Sequence, residues 1–210
     1  MIPVGKTVGR SMAVIFAAVA LSVSTAWAKP VPAAAPDEKA IIAMHAYGAC
    51  IADRTRYGAE QVLAMDPSDG SSHRMLERIA QGHPGCEPGR EVKFNDALFR
   101  GGLAERMLAK RPGRERLVQT LSYDPGKKGI HAWDEVDVAG LCMVRKDPQA
   151  VAALFDTEPA SAAEAQAEQA LTPTFAGCVK AGQTLQLSRS TFRAMLAVAA
   201  WQIADAAGAR

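Results

Sequence analysis

The sequence predicts an all-α protein, with about eight helices in two tandem disulfide-stapled helical repeats and only short extended pieces. Three observations carry that reading. Apolar residues recur at helical spacing, and 41 of the 210 residues are alanine, the best helix former. Four cysteines fall into two pairs of equal separation, Cys50 to Cys86 and Cys142 to Cys178, each 36 positions apart. A shift of 92 positions then sets Cys50 on Cys142, Pro67 on Pro159, Gly85 on Gly177 and Cys86 on Cys178 without a gap. After one inserted residue the register becomes 93, placing Phe99-Arg100 on Phe192-Arg193 and Leu103-Ala104 on Leu196-Ala197. Alanine-rich helices match one another by chance; cysteines, prolines and glycines in phase do so far less.

Residues 1–28 read as a secretory signal peptide. Lys6 and Arg10 give a positive start, Met12 to Val23 an apolar centre, and Ala26-Trp27-Ala28 a small-x-small cleavage site. The rival, an uncleaved anchor, is weakened by the serines and threonine in the apolar stretch. Residues 29–36, KPVPAAAP, form a Pro/Ala-rich tether without periodicity.

The first repeat spans 37–110. Asp37 is placed to cap a helix carrying Ile41, Ile42, His45 and Cys50 towards Arg54. A second helix runs from Tyr57 to Met65 and stops at Asp66-Pro67; a third covers Ser71 to Gln81. The turn Gly82-His83-Pro84-Gly85 delivers Cys86, and Glu91 to Phe94 is extended. Asn95 then caps a helix bearing Leu98, Phe99, Leu103 and Met107.

The second repeat, 134–210, replays this plan. Asp134 to Lys146 is its first helix, Pro148 opens the second, and Ser161 to Leu171 is the third, ending at Thr172-Pro173. After the extended Gln183 to Leu187, Ser188 caps a last helix with Phe192, Leu196, Ala199 and Ile203 on one face and Trp201 on its flank. Each copy is too small for a thick core, so the two must share a face.

The whole chain carries a net charge of +2, both charges belonging to the signal peptide. Once residues 1–28 are removed the balance is zero, but unevenly spread. The connector, residues 111–133, is +3 and the second repeat is −3. That balance and the export signal exclude a nucleic-acid partner. No other stretch is long and apolar enough to span a membrane after cleavage. Export also sets the redox state: the even cysteine count and the absence of any C-x-x-C favour structural bridges over metal or redox chemistry. The repeat makes Cys50–Cys86 and Cys142–Cys178 the economical pairing.

Catalytic signatures are absent. There is no nucleophile elbow, no histidine pair at metal-ligand spacing among His45, His73, His83 and His131, and no phosphate-cradling loop in DPGKKG. Neither catalytic residues nor a cofactor or metal is expected. Arg100 and Arg193, in phase between the copies, are expected to lay their stems on apolar surface or donate to nearby carbonyls rather than form a paired anion site. A ligand surface is expected instead on the unmatched connector: Arg111, Arg114, Arg116, Lys127, Lys128, His131 and Trp133. The sequence therefore points to a periplasmic or secreted, non-catalytic binding or scaffolding module. Its partner would be an envelope protein or an anionic envelope component. The alternative is an enzyme whose site lies between the repeats, which would require a concave pocket with convergent polar groups and a perturbed titratable residue.

Overall fold

The computed structural model describes residues 37–87, 93–111, 116–122 and 129–208. The expected signal peptide and tether, and much of the connector, lie outside the described residues. Among the described residues there are nine α-helices and no strand. In chain order they are α1 (Glu38–Arg54), α2 (Arg56–Leu63), α3 (Gly70–Gln81), α4 (Asp96–Ala109), α5 (Leu117–Leu121), α6 (Glu135–Lys146), α7 (Pro148–Phe155), α8 (Ala162–Ala176) and α9 (Arg189–Ala206). A 3₁₀ turn, Pro84–Cys86, follows α3.

Most helix starts are set by side chains that satisfy orphan N–H groups. Asn95 accepts from Leu98 N at 3.0 Å, Asp134 from Asp137 N at 2.9 Å and Asp147 from Ala150 N at 3.1 Å. Ser161 and Ser188 cap α8 and α9 in the same way, from Glu164 N and Thr191 N. Asp37 precedes α1 as expected, but its side chain makes no capping bond.

Three elements depart from the sequence reading. The connector contains a helix, α5, where none was expected; its Leu121 is fully buried and it packs against α7 and α9. A segment of five residues, too short to hold a helix alone, folds because that leucine is covered. The third helix of the second half does not stop at Thr172-Pro173 but runs through Pro173 to Ala176. Proline costs a helix one donor and crowds the carbonyl four residues back; here the Thr172 hydroxyl donates to the neighbouring Glu168 carbonyl at 3.4 Å. Trp201 does not sit on a flank: it is 3% exposed, within the α9 core.

The core is centred on α4 and α9, which pack on each other, with α1 laid on α4 and α6 on α9. Phe99 and Leu103 from α4, and Leu196 and Ile203 from α9, are fully buried. Small residues let the backbones approach. A Cβ on Gly101 would lie 2.6 Å from Ala194 Cβ, where α4 meets α9. Between α1 and α4, a Cβ on Gly102 would come within 2.5 Å of His45 O, and one on Gly48 within 2.5 Å of Phe99 O.

Each disulfide joins a helix to the segment that follows the second helix further along the chain. Cys50–Cys86 ties α1 to the 3₁₀ turn, and Cys142–Cys178 ties α6 to the segment after α8; each has a Cα–Cα distance of 5.7 Å and a separation of 36. Each bridge restricts the unfolded chain by about 4 kcal/mol in the loop-entropy view.

Gly101→Ala is expected to cost about 1–3 kcal/mol by overpacking the α4–α9 contact. Gly85→Ala, where nothing lies within 4 Å of the new Cβ, is its control and should change stability by less than about 0.5 kcal/mol. Urea unfolding followed by circular dichroism of the oxidised protein checks the difference.

Candidate functional site

The connector positions expected to bind a ligand are spread over different surroundings. Arg111 is 9% exposed and donates Nη1–H to Ala204 O at 2.8 Å, anchoring the end of α4 to α9. Arg116 is exposed immediately before α5. His131 and Trp133 lie together, rings edge-on with centroids 4.0 Å apart, and the Trp133 ring is 39% exposed. Arg114, Lys127 and Lys128 lie outside the described residues.

A more organised arrangement surrounds the two in-phase arginines. Both are buried, Arg100 at 5% exposure and Arg193 at 3%, and both donate to main-chain carbonyls as the sequence suggested. Arg100 Nη2 reaches Met65 O at 3.1 Å and Leu63 O at 3.5 Å; Arg193 Nη2 reaches Thr157 O at 2.9 Å and its Nη1 reaches Leu154 O at 3.2 Å. Met65 and Thr157 are 92 positions apart, so the two cradles are in the repeat register.

Their remaining partners differ. Arg193 is held by carboxylates. Its Nε donates to Glu105 Oε2 at 2.9 Å, Nη2 to Glu105 Oε1 at 2.5 Å, and Nη1 to Glu164 Oε1 at 3.2 Å. His45 Nε2 completes the group at 3.0 Å from Glu105 Oε2. At Arg100 the place of Glu164 is taken by Ser72, 92 positions earlier, which accepts from Nη1 at 2.9 Å. The place of Glu105 is taken by Val198, 93 positions later. Arg100 forms no ion pair among the described residues, and its Nε donates to none of them.

The consequence is one closed cleft and one open one. Beside Arg193, where Glu105 fills the space between α4 and α9, only about 20 Å³ remains. Beside Arg100, the cavity between α4, α6 and α9 has a volume of about 240 Å³, walled largely by Val136, Met195, Val198 and Leu187. Gln202 also lines it, with Oε1 buried and unbonded among the described residues. Burial pushes the Arg100 guanidinium below its ordinary value, opposed by Asp137, Asp96 and Asp66, yet an arginine stays cationic at neutral pH.

Two carboxyls reach the same cavity, Asp134 and Asp137, and both serve the start of α6. Asp134 Oδ1 accepts from Asp137 N, and Asp137 Oδ2 accepts from Trp133 N at 3.0 Å. Burial pushes the Asp137 carboxyl up, against the Trp133 bond and the Arg100 charge. A larger open groove of about 620 Å³ runs between α8 and the start of α9, but its cation, Arg189, already pairs with Glu168 at 2.8 Å. Among the described residues no group of three or more His, Cys, Asp or Glu is placed to hold a metal ion. No helix among them is long and apolar enough to cross a membrane.

Comparison with known protein families, with curated proteins and with solved structures finds no match. What can be said of function therefore rests on these residues and their geometry.

The Glu105 group makes stability depend on pH. Burial pushes the Glu105 carboxyl up, but hydrogen bonds from His45 and Arg193 and the charges of both outweigh it, leaving the group below its ordinary 4.5. A carboxyl depressed in the folded state adds stability above its unfolded value, lost as pH falls through the folded one. Glu105→Gln is expected to cost about 3 kcal/mol at about pH 7, where it breaks a buried pair. The cost should be smaller at about pH 4, below the ordinary 4.5, where the unfolded chain takes up the proton and the carboxylate's contribution begins to be lost. Urea midpoints of both proteins at the two pH values measure this.

Proposed function

We propose that this protein is an exported, non-catalytic binding module that takes a small ligand into the cavity between α4, α6 and α9. In this reading it is periplasmic or secreted, released by cleavage after Ala28, and built from two tandem copies of one helical unit. The observation that carries it is Arg100: a cation with Nη1 and Nη2 bonded to neutral oxygens, Nε open and no ion pair among the described residues, 5% exposed at the wall of an apolar cavity of about 240 Å³. Apolar walls with a few fixed polar groups are the usual make-up of a small-molecule site. Burying a charge without a counter-ion costs several kcal/mol, which packing alone does not return. Of the partners the sequence suggested, an anionic component of the envelope suits this cation.

Two bridges in the chain support an oxidising destination. The in-phase cradles of Arg100 and Arg193 support the two-copy reading. An enzyme between the copies would also use a concave site, and Asp137 is a perturbed group within it. Among the described residues lining this cavity no nucleophile stands beside a base, however, and each carboxyl gives one oxygen to starting α6. Binding is what remains.

The test is to express the chain with its leader and recover it from the periplasm or medium under non-denaturing conditions. N-terminal sequencing should begin at Lys29, and native mass spectrometry should show a small bound species. Val198→Trp, which fills the cavity, should remove that species while leaving the helical circular dichroism intact. A chain beginning at Met1 would overturn export; bound mass unchanged in Val198→Trp would overturn the cavity as its site.

A further inference from the structure

We infer that the cavity beside Arg100 takes a carboxylate with an apolar tail, its head in the position that the Glu105 side chain holds beside Arg193. The inference rests on the binding reading above and adds the chemical class of the ligand.

The argument is one of paired sites. In the second half, an arginine in a carbonyl cradle meets a carboxylate bidentately through Nε and Nη2, and the cleft is full. Nε and Nη2 are the two donors on one edge of a guanidinium, matched to the two oxygens of a carboxylate. In the first half two carbonyls are again bonded, both by Arg100 Nη2, but no carboxylate is, which leaves Nε as the open donor. Val198 stands at the register position of Glu105, Arg100 Nε is without a partner among the described residues, and the cleft is open. An incoming carboxylate would supply the missing partner, and Val136, Met195 and Val198 would cover an aliphatic tail.

Asp137 is the first of Arg100's acidic neighbours, followed by Asp96 and Asp66, and none comes within 4 Å as an ion pair. Asp137 stands at the register position of His45, the residue that hydrogen-bonds Glu105 in the closed cleft. Burial pushes the Asp137 carboxyl up, and its Oδ2 accepts from Trp133 N. Asp134 is spent on capping α6.

The experiment uses delipidated, disulfide-intact protein and three probes that share one tail: octanoate, octanol and octylammonium. Isothermal titration should show octanoate binding about tenfold or more tightly than octanol, with octylammonium weaker still. Val198→Glu places a carboxylate where Glu105 lies in the other half. It should raise the melting temperature and weaken octanoate by about tenfold or more. Arg100→Met should erase the preference of octanoate over octanol. If Arg100→Met does not fold, the Val198→Glu result decides alone.

Octanol binding as tightly as octanoate would overturn the carboxylate while leaving the cavity as a binding site. Octylammonium preferred over octanoate would overturn it in favour of Asp137 as the recognising group. Octanoate binding unchanged in Val198→Glu would place the probe elsewhere and overturn the inference. No binding of any probe, with no bound species in the native protein, would overturn both this and the binding reading.

Discussion

The backbone approach of α4 to α9 at Gly101 and Ala194 is the constraint on which the rest of the structure depends. With a Cβ allowed on only one side of that contact, the two longest-buried helices lie close enough for residues of one to complete the pocket of the other. Arg193 of α9 can therefore reach Glu105 of α4, and the Arg100 cavity is walled by Val198 and Met195 of α9. α1 and α6 are then laid against this pair, the first over Gly102, where its backbone passes through the space a side chain would fill. Widening the crossing would loosen both clefts at once.

Around that crossing the core is thin. Many of its buried positions are alanine: Ala194, Ala197, Ala199, Ala200 and Ala204 along α9 alone. Alanine favours the helix and permits close packing but removes little apolar surface from water. The stabilisation is made up elsewhere. Two disulfides act on the unfolded chain, and two buried arginines stitch the central helices to the flanking ones. Arg100 ties α4 to the end of α2 and to α3, and Arg193 ties α9 to α7 and α8. The bonds to Leu63, Met65, Leu154 and Thr157 run to carbonyls at or just past helix ends, which need partners when buried.

Much of this arrangement is readable from the chain before any coordinates. Helix starts at Asn95, Asp134, Pro148, Ser161 and Ser188 follow from local capping chemistry, which acts within four residues and does not depend on the rest of the fold. The bridges follow from equal spacing in a doubled pattern. Non-local facts were less accessible. Leu117–Leu121 is helical because Leu121 is buried by α7 and α9, and no periodicity in five residues announces that. Pro173 is tolerated inside α8 by its surroundings, against its usual effect. The connector's positive charge drew attention to exposed cations, whereas the organised cation is buried and in phase. A signal for it was present: continuing the 93 register one residue past Leu103-Ala104 sets Glu105 against Val198. The matched positions marked the architecture; the first mismatch beyond them marks the open cleft.

That mismatch bears on why Arg100 is there at all. Its three hydrogen bonds run to neutral oxygens, Ser72 Oγ and two carbonyls, so the fold asks it for donors and not for charge. A neutral amide could give some of those bonds without the desolvation cost of a guanidinium, and buried ions are often replaceable by neutral groups with no loss of stability. At Arg193 the charge has a structural use, since Glu105 and Glu164 are themselves buried and need a cation. At Arg100 the charges of Asp137, Asp96 and Asp66 act from a distance, and no carboxylate among the described residues is in ion-pair contact. A costly charge kept where packing has no use for it is the kind of local inconsistency that natural proteins retain at functional sites. The unpaired cation and the unfilled volume lie side by side, and one occupant, anionic at its head and apolar behind, answers both.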